Sequence, residues 1–124
     1  MNENRPKHLA LSQIRLPLSA LVSILHRISG ALLFLALPLL LLMLQYSLRS
    51  IETYTQLAGV LHHPFSKLFL LVMLWAFLHH LCSGIRYLVI DLDYGVRLAQ
   101  ARASSKWVIF VSLALTVLIG ARLW

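Results

Sequence analysis

Residues 23–30 read Ser-Ile-Leu-His-Arg-Ile-Ser-Gly, setting hydroxyl, imidazole and guanidinium groups inside a long apolar run. On a helix, Ser23, Arg27 and Gly30 fall within about 60° of one another, and His26 lies about 60° to the other side of Ser23. Ser23 and Arg27 stand one turn apart, so both can donate to a carbonyl oxygen of an uncharged quinone. The competing reading has Ser23 bonded back to the carbonyl of Ser19, with Arg27 snorkelling to the interface or paired with Asp91. A second group lies in "HHLCSGIRYLVID", residues 79–91. His80, Gly84, Tyr87 and Asp91 share one helical stripe about 60° wide, and His79 points about 100° away from it. A histidine with a glycine one turn along offers an imidazole ligand and room for a flat macrocycle against the helix. Neutral imidazole is a usual axial ligand to haem iron. Arg27 or His26 then carries the charge to meet the macrocycle's carboxylates. The competing reading makes His80 a hydrogen-bonded interhelical histidine and Gly84 a packing residue. One histidine does not complete a bis-histidine haem, so that chemistry requires a second ligand from a partner chain.

The remaining reactive side chains point nowhere specific. His62 and His63 are adjacent, diverge on a helix and have no third ligand near, so they read as loop residues. Cys82 reads as a buried, inert thiol, and a single cysteine forms no internal disulfide. There is no glycine-rich phosphate loop, no carboxylate pair at catalytic spacing and no Ser/His/Asp set. Covalent catalysis by this chain alone is not expected.

The elements that must position these groups are membrane spans. Of 124 residues, 60% are hydrophobic and only 12% charged, and the apolar residues come in long blocks. A span needs about 20 mostly apolar residues. The chain has room for three, expected over about 18–46, 64–90 and 107–123, behind an N-terminal segment 1–17. Pro17 and Pro64 suit helix starts. Pro38 should kink the first span and free the carbonyl of Phe34. Residues between the first two spans read as a polar loop with room for a helical turn. Trp107, Trp124 and Arg122 suit the interfaces. Ser112, Thr116 and Gly120 form a small-residue stripe that admits a close helix, from this chain or another.

The formal net charge of +7 flanks apolar blocks and does not alternate with aromatics, which argues for a lipid bilayer and against nucleic acid. The basic N-terminus lacks the features of a cleavable signal or a transit peptide. Arg5, Lys7, Arg15, Arg97, Arg102 and Lys106 fall on one side of the membrane, and Arg49, Lys67 and Arg122 on the other. This balance predicts a cytoplasmic N-terminus and a periplasmic C-terminus. The first span descends and the second returns. Arg27 is then ~13 Å and His80 ~16 Å below the same surface, at a rise of about 1.5 Å per residue. An ionisable group at such depth costs roughly 2.5–3.5 kcal/mol on insertion scales, so these residues need partners. The polar face of the first span, with Ser23 and Arg27, is therefore expected to meet that of the second and line one pocket with it.

Two motifs in order carry a family resemblance. Arg5-Pro6 is followed by Ser-x-x-His-Arg-x-Ser, residues 23–29. Later His80-x-x-x-Gly84-Ile85-Arg86 is followed by Asp91. Across nearly its whole length the chain resembles the cytochrome b membrane-anchor subunit of succinate dehydrogenase, the larger anchor of the proteobacterial type. Lys7, Tyr87 and Ile90 depart from the family pattern. They stand where an apolar residue, a His or Phe, and an aromatic or Met are usual.

The resemblance implies an all-α membrane protein whose three transmembrane helices pack with a second, smaller anchor chain into a larger bundle in the bacterial inner membrane. It implies a flavoprotein subunit that oxidises succinate, in the tricarboxylic acid cycle, and an iron–sulfur subunit that passes electrons inward. The anchors would bind haem b and ubiquinone as electron-transport sites. By motif, Ser23 and Arg27 line the quinone site, and His80 is the axial ligand of the haem iron. His26 and Arg27 lie by its propionates, Gly84 leaves room for its ring, and the second axial histidine comes from the partner anchor. A fumarate reductase anchor and a non-catalytic structural membrane protein are the rival readings. Three spans without an inverted repeat argue against a transporter.

Overall fold

The computed structural model describes residues 15–124, so Arg5, Lys7 and the Arg-Pro motif lie outside the described residues. It contains four helices and no strand among those residues: α1 (Leu18–Ser47), α2 (Ile51–Leu61), α3 (Pro64–Asp91) and α4 (Leu98–Leu123). α1, α3 and α4 are long and apolar enough to cross a membrane.

Local chemistry sets the ends. Pro17 precedes the first turn of α1, which then runs through Pro38 as one helix. Ser50 caps α2 in a reciprocal box with Thr53: the Thr53 N–H donates to Ser50 Oγ at 3.1 Å, and the Ser50 N–H donates to Thr53 Oγ1 at 3.0 Å. The segment expected as a polar loop is therefore an eleven-residue helix. It is tied back to α1 by Tyr46 Oη, which donates to Gln56 Oε1 at 2.6 Å. α3 opens on Pro64, and His63 Nδ1 accepts from the Phe65 N–H at 3.4 Å. The turn after α3 uses two left-handed residues, Asp93 and Gly95.

The third membrane helix begins at Leu98, about two and a half turns before the expected Trp107. Ala99, Ala101 and Ala103 are strong helix formers, so the polar stretch that flanks the apolar block continues the same helix. Trp107 is exposed on its side, and Trp124 is half exposed at its end.

α3 is the central element: α1 and α4 both pack along it and touch each other less. Small residues make the seams. Val22, Ser29 and Ala36 are the buried residues of α1, spaced seven apart, so they drift only about 20° per step and form one line. On α4, Ser105, Val108, Ser112, Thr116 and Gly120 are buried. A Cβ on Gly120 would stand 2.9 Å from Leu71 Cδ1, so the small-residue stripe is used within this chain, against α3. Most other large apolar side chains face outward, among them Phe34, Leu35, Phe77, Leu88 and Phe110. In a membrane-spanning bundle these are surfaces for lipid or for another chain.

Candidate functional site

The site lies where α1 crosses α3. The rings of His26 and His80 stack at 4.1 Å between centroids, 11° from parallel. The antiparallel pairing thus brings residue 26 level with residue 80. His80 Nδ1 lies 3.1 Å from the His26 carbonyl oxygen and 3.3 Å from Ser29 Oγ. Ser29 Oγ itself donates to the same carbonyl at 2.9 Å. The consistent arrangement has Nδ1 protonated and donating to the carbonyl. His80 Nε2 has no partner among the described residues, and the side chain is half-buried. With Nδ1 carrying the proton, Nε2 presents its lone pair outward.

Gly30 makes this contact possible. A Cβ there would stand 2.9 Å from His80 Cε1 and 3.3 Å from Nδ1. Gly84, expected to clear space beside His80, is not crowded within this chain: a Cβ there would meet only His26 Cε1, at 3.8 Å. Tyr87 closes the cluster from below, its ring 5.3 Å from that of His26. Asp91, at the end of the expected stripe, is exposed.

His79 belongs to another environment. It is fully enclosed, its ring stacks on Trp75 at 5.3 Å, and its Nε2 lies 3.2 Å from Ser83 Oγ. Ser83 Oγ donates to the His79 carbonyl at 2.7 Å. One turn on, Arg86 is only 9% exposed. Its Nε donates to Ser104 Oγ at 2.9 Å and its guanidinium to the Ala101 carbonyl at 3.2 Å. This buried cation fastens α3 to the polar extension of α4.

The expectation that Ser23 and Arg27 face the second span is corrected. Arg27 is exposed and Ser23 only half-buried. The seam runs through Val22, Ser29 and Ala36, and Arg27 points about 140° from Val22 on the helix wheel. Small residues, not polar ones, set which side of α1 meets α3. His26 and Gly30 turn toward α3, while Arg27 turns to the open side of this chain.

Helical spacing alone gives no role to Ser29 or Arg86 and does not connect Gly30 with His80. A signal for the first and last was available: Ser29 and Gly30 follow His26 by three and four positions. Small residues one turn from a polar group at membrane depth mark a close helix approach.

Three apolar spans, with a polar histidine cluster held between the first two, define the class: a multi-pass membrane subunit that carries polar groups at bilayer depth. Residues 1–119 match the family model described as succinate dehydrogenase/fumarate reductase transmembrane subunit, and the chain belongs to that family. It is 39% identical to the succinate dehydrogenase cytochrome b556 subunit of Coxiella burnetii over the whole of both chains. The protein of the same name from Paracoccus denitrificans is 34% identical, over 93% of this chain and 88% of that one. That from Rickettsia felis is 33% identical, over 93% of this chain and 90% of its own. These matches support a succinate dehydrogenase cytochrome b anchor subunit.

Proposed function

We propose that this chain anchors a succinate:ubiquinone oxidoreductase in the bacterial inner membrane and there helps to hold one haem b and a ubiquinone. The observation that carries the haem assignment is the His80 imidazole. Its Nδ1 is committed to the His26 carbonyl at 3.1 Å, which leaves Nε2 as the free lone pair. A backbone carbonyl on the distal nitrogen is the usual way to orient a ligating imidazole and raise its basicity. The donor set fits the group: a fixed imidazole, an uncrowded Gly84 one turn along, and a cation, Arg27, next to His26 in the chain and exposed. The cytochrome b556 names of the relatives support the same cofactor. The haem, when bound, supplies a one-electron store between the iron–sulfur subunit and the quinone. The second axial histidine comes from the smaller anchor.

Ser23 and Arg27 serve the quinone. A quinone that takes up electrons gains negative charge on its oxygens before protonation, and a hydroxyl and a guanidinium already in place stabilise that charge. The exposed position of Arg27 supports a site shared with a partner chain, on the open side of α1. The N-terminal side faces the cytoplasm, where the iron–sulfur and flavoprotein subunits dock, and the C-terminus faces the periplasm.

The test uses the complex purified with its partner subunits. A low-spin b-type spectrum is expected in the parent and in His79→Ala, and it should be lost or altered in His80→Ala. A normal spectrum in His80→Ala with loss in His79→Ala overturns the ligand assignment. Ser23→Ala and Arg27→Leu should keep succinate oxidation by an artificial acceptor and slow ubiquinone reduction, Arg27→Leu the more. Parental ubiquinone rates in both overturn the quinone assignment.

A further inference from the structure

Two polar atoms in the histidine cluster are enclosed and unpartnered: Tyr87 Oη on α3 and His26 Nδ1 on α1. Their rings are in contact range, with centroids 5.3 Å apart and planes at 58°. A polar atom left unpaired in a low-dielectric interior is costly, and no water in the hydrocarbon core relieves it. Both atoms are covered by this chain's own residues, so neither a ligand nor a partner helix reaches them as they stand. The nearby groups are otherwise engaged. His80 Nδ1 is held by the His26 carbonyl and Ser29. The Arg86 guanidinium lies 5.3 Å from the centre of the Tyr87 ring and gives its hydrogen bonds to Ser104 and Ala101. What remains is one hydroxyl donor and one imidazole acceptor, on rings in contact range.

We infer that the Tyr87 hydroxyl donates to His26 Nδ1 and so fixes which ring nitrogen of His26 carries its proton. The rival arrangement protonates Nδ1 instead. That arrangement leaves the phenol unpaired. With Nδ1 accepting from Tyr87, the proton sits on Nε2, and His26 presents an N–H donor. His80 is fixed the opposite way, with its Nε2 lone pair outward. The two stacked rings then present complementary chemistry, one a ligand and the other a donor suited to a carboxylate. Only that last use rests on the haem assignment; the hydrogen bond does not. Tyr87 acts through His26 and is a positioning residue.

A double-mutant cycle on the whole purified complex tests this, read by its Tm and by the haem midpoint potential. Tyr87→Phe keeps the ring and removes the hydroxyl. It should lower the Tm and move the potential downward, because His26 loses its fixed donor orientation. Tyr87→His, which restores a ring N–H donor, should recover part of both. In a His26→Leu background, Tyr87→Phe should no longer lower either reading, and the Tm should hold or rise because the hydroxyl there has no acceptor. Equal effects of Tyr87→Phe in both backgrounds, or none in the parent, overturn the inference. Should Tyr87→Phe fail to assemble, a Tyr87→His complex with near-parental Tm and potential supports it. Failure of both Tyr87 variants while His26→Leu assembles overturns it, since a residue acting through His26 cannot matter more than His26. A parent complex without b-type haem defeats the haem assignment and leaves the Tm arm of the cycle in force.

Discussion

The His80 ring rests against the bare backbone of Gly30: a Cβ on that glycine would lie 2.9 Å from His80 Cε1. The ring cannot simply swing aside, because Nδ1 is bonded to the carbonyl of His26, one turn earlier on the same helix. One residue of α1 thus holds the imidazole and another makes room for it.

Gly30→Ala should therefore displace His80 and not merely tighten the seam. Overpacking of this kind costs about 1–3 kcal/mol. The complex should show a lower Tm and less bound haem per protein. Gly59→Ala is the control, since a Cβ there meets nothing within 4 Å. Replacing a mid-helix glycine at that position should be neutral or stabilising, by up to about 1 kcal/mol.

Ser29→Ala removes one contact to His80 Nδ1 and leaves the stronger bond to the His26 carbonyl. A typical hydrogen bond contributes about 0.5–1.5 kcal/mol. Haem should be retained at parental stoichiometry, with a small fall in Tm. Complete loss of haem in Ser29→Ala would show that the hydroxyl, not the carbonyl, orients the ring.

Arg86→Lys keeps the charge and loses the fork that spans Ser104 and Ala101. Hydrogen bonds from a charged donor contribute about 1.5–3 kcal/mol. The first turns of α4 should loosen, seen as faster amide exchange over Leu98–Ser104 and faster tryptic cleavage at Arg97 and Arg102. Unchanged exchange there would mean that α4 is held by its apolar contacts alone.

Ser50→Ala opens the capping box of α2. Loss of such a cap costs about 0.5–2 kcal/mol. The effect should stay local, as increased exchange across Ile51–Tyr54, with the haem spectrum untouched because α2 does not meet the histidine cluster.

The spans, their order and their antiparallel pairing were legible in the sequence because lipid allows few solutions. Long apolar blocks must be helices, and short connections make consecutive helices neighbours. From that alone, residues 26–27 had to come level with residue 80. The separation of His79 from His80 was legible too, since neighbouring positions on a helix diverge by 100° whatever surrounds them. Two elements were missed for one reason. α2 and the first turns of α4 are polar and carry no apolar run, and their signal lies instead in the Ser50–Thr53 box and in the alanines before Trp107.

What the tertiary structure decided is which side of each helix is inside. Polarity suggested that Ser23 and Arg27 look toward α3, but in a membrane the buried side is chosen by close fit, because lipid and protein interior are similarly apolar. The line through Val22, Ser29 and Ala36 lets α1 approach α3, and it turns Arg27 outward while His26 goes in. Gly30 under His80, the His26 carbonyl on Nδ1, and Tyr87 against His26 all depend on that approach. None is fixed by helical spacing, since each relates residues of two helices whose rotation about their own axes the sequence pattern leaves open.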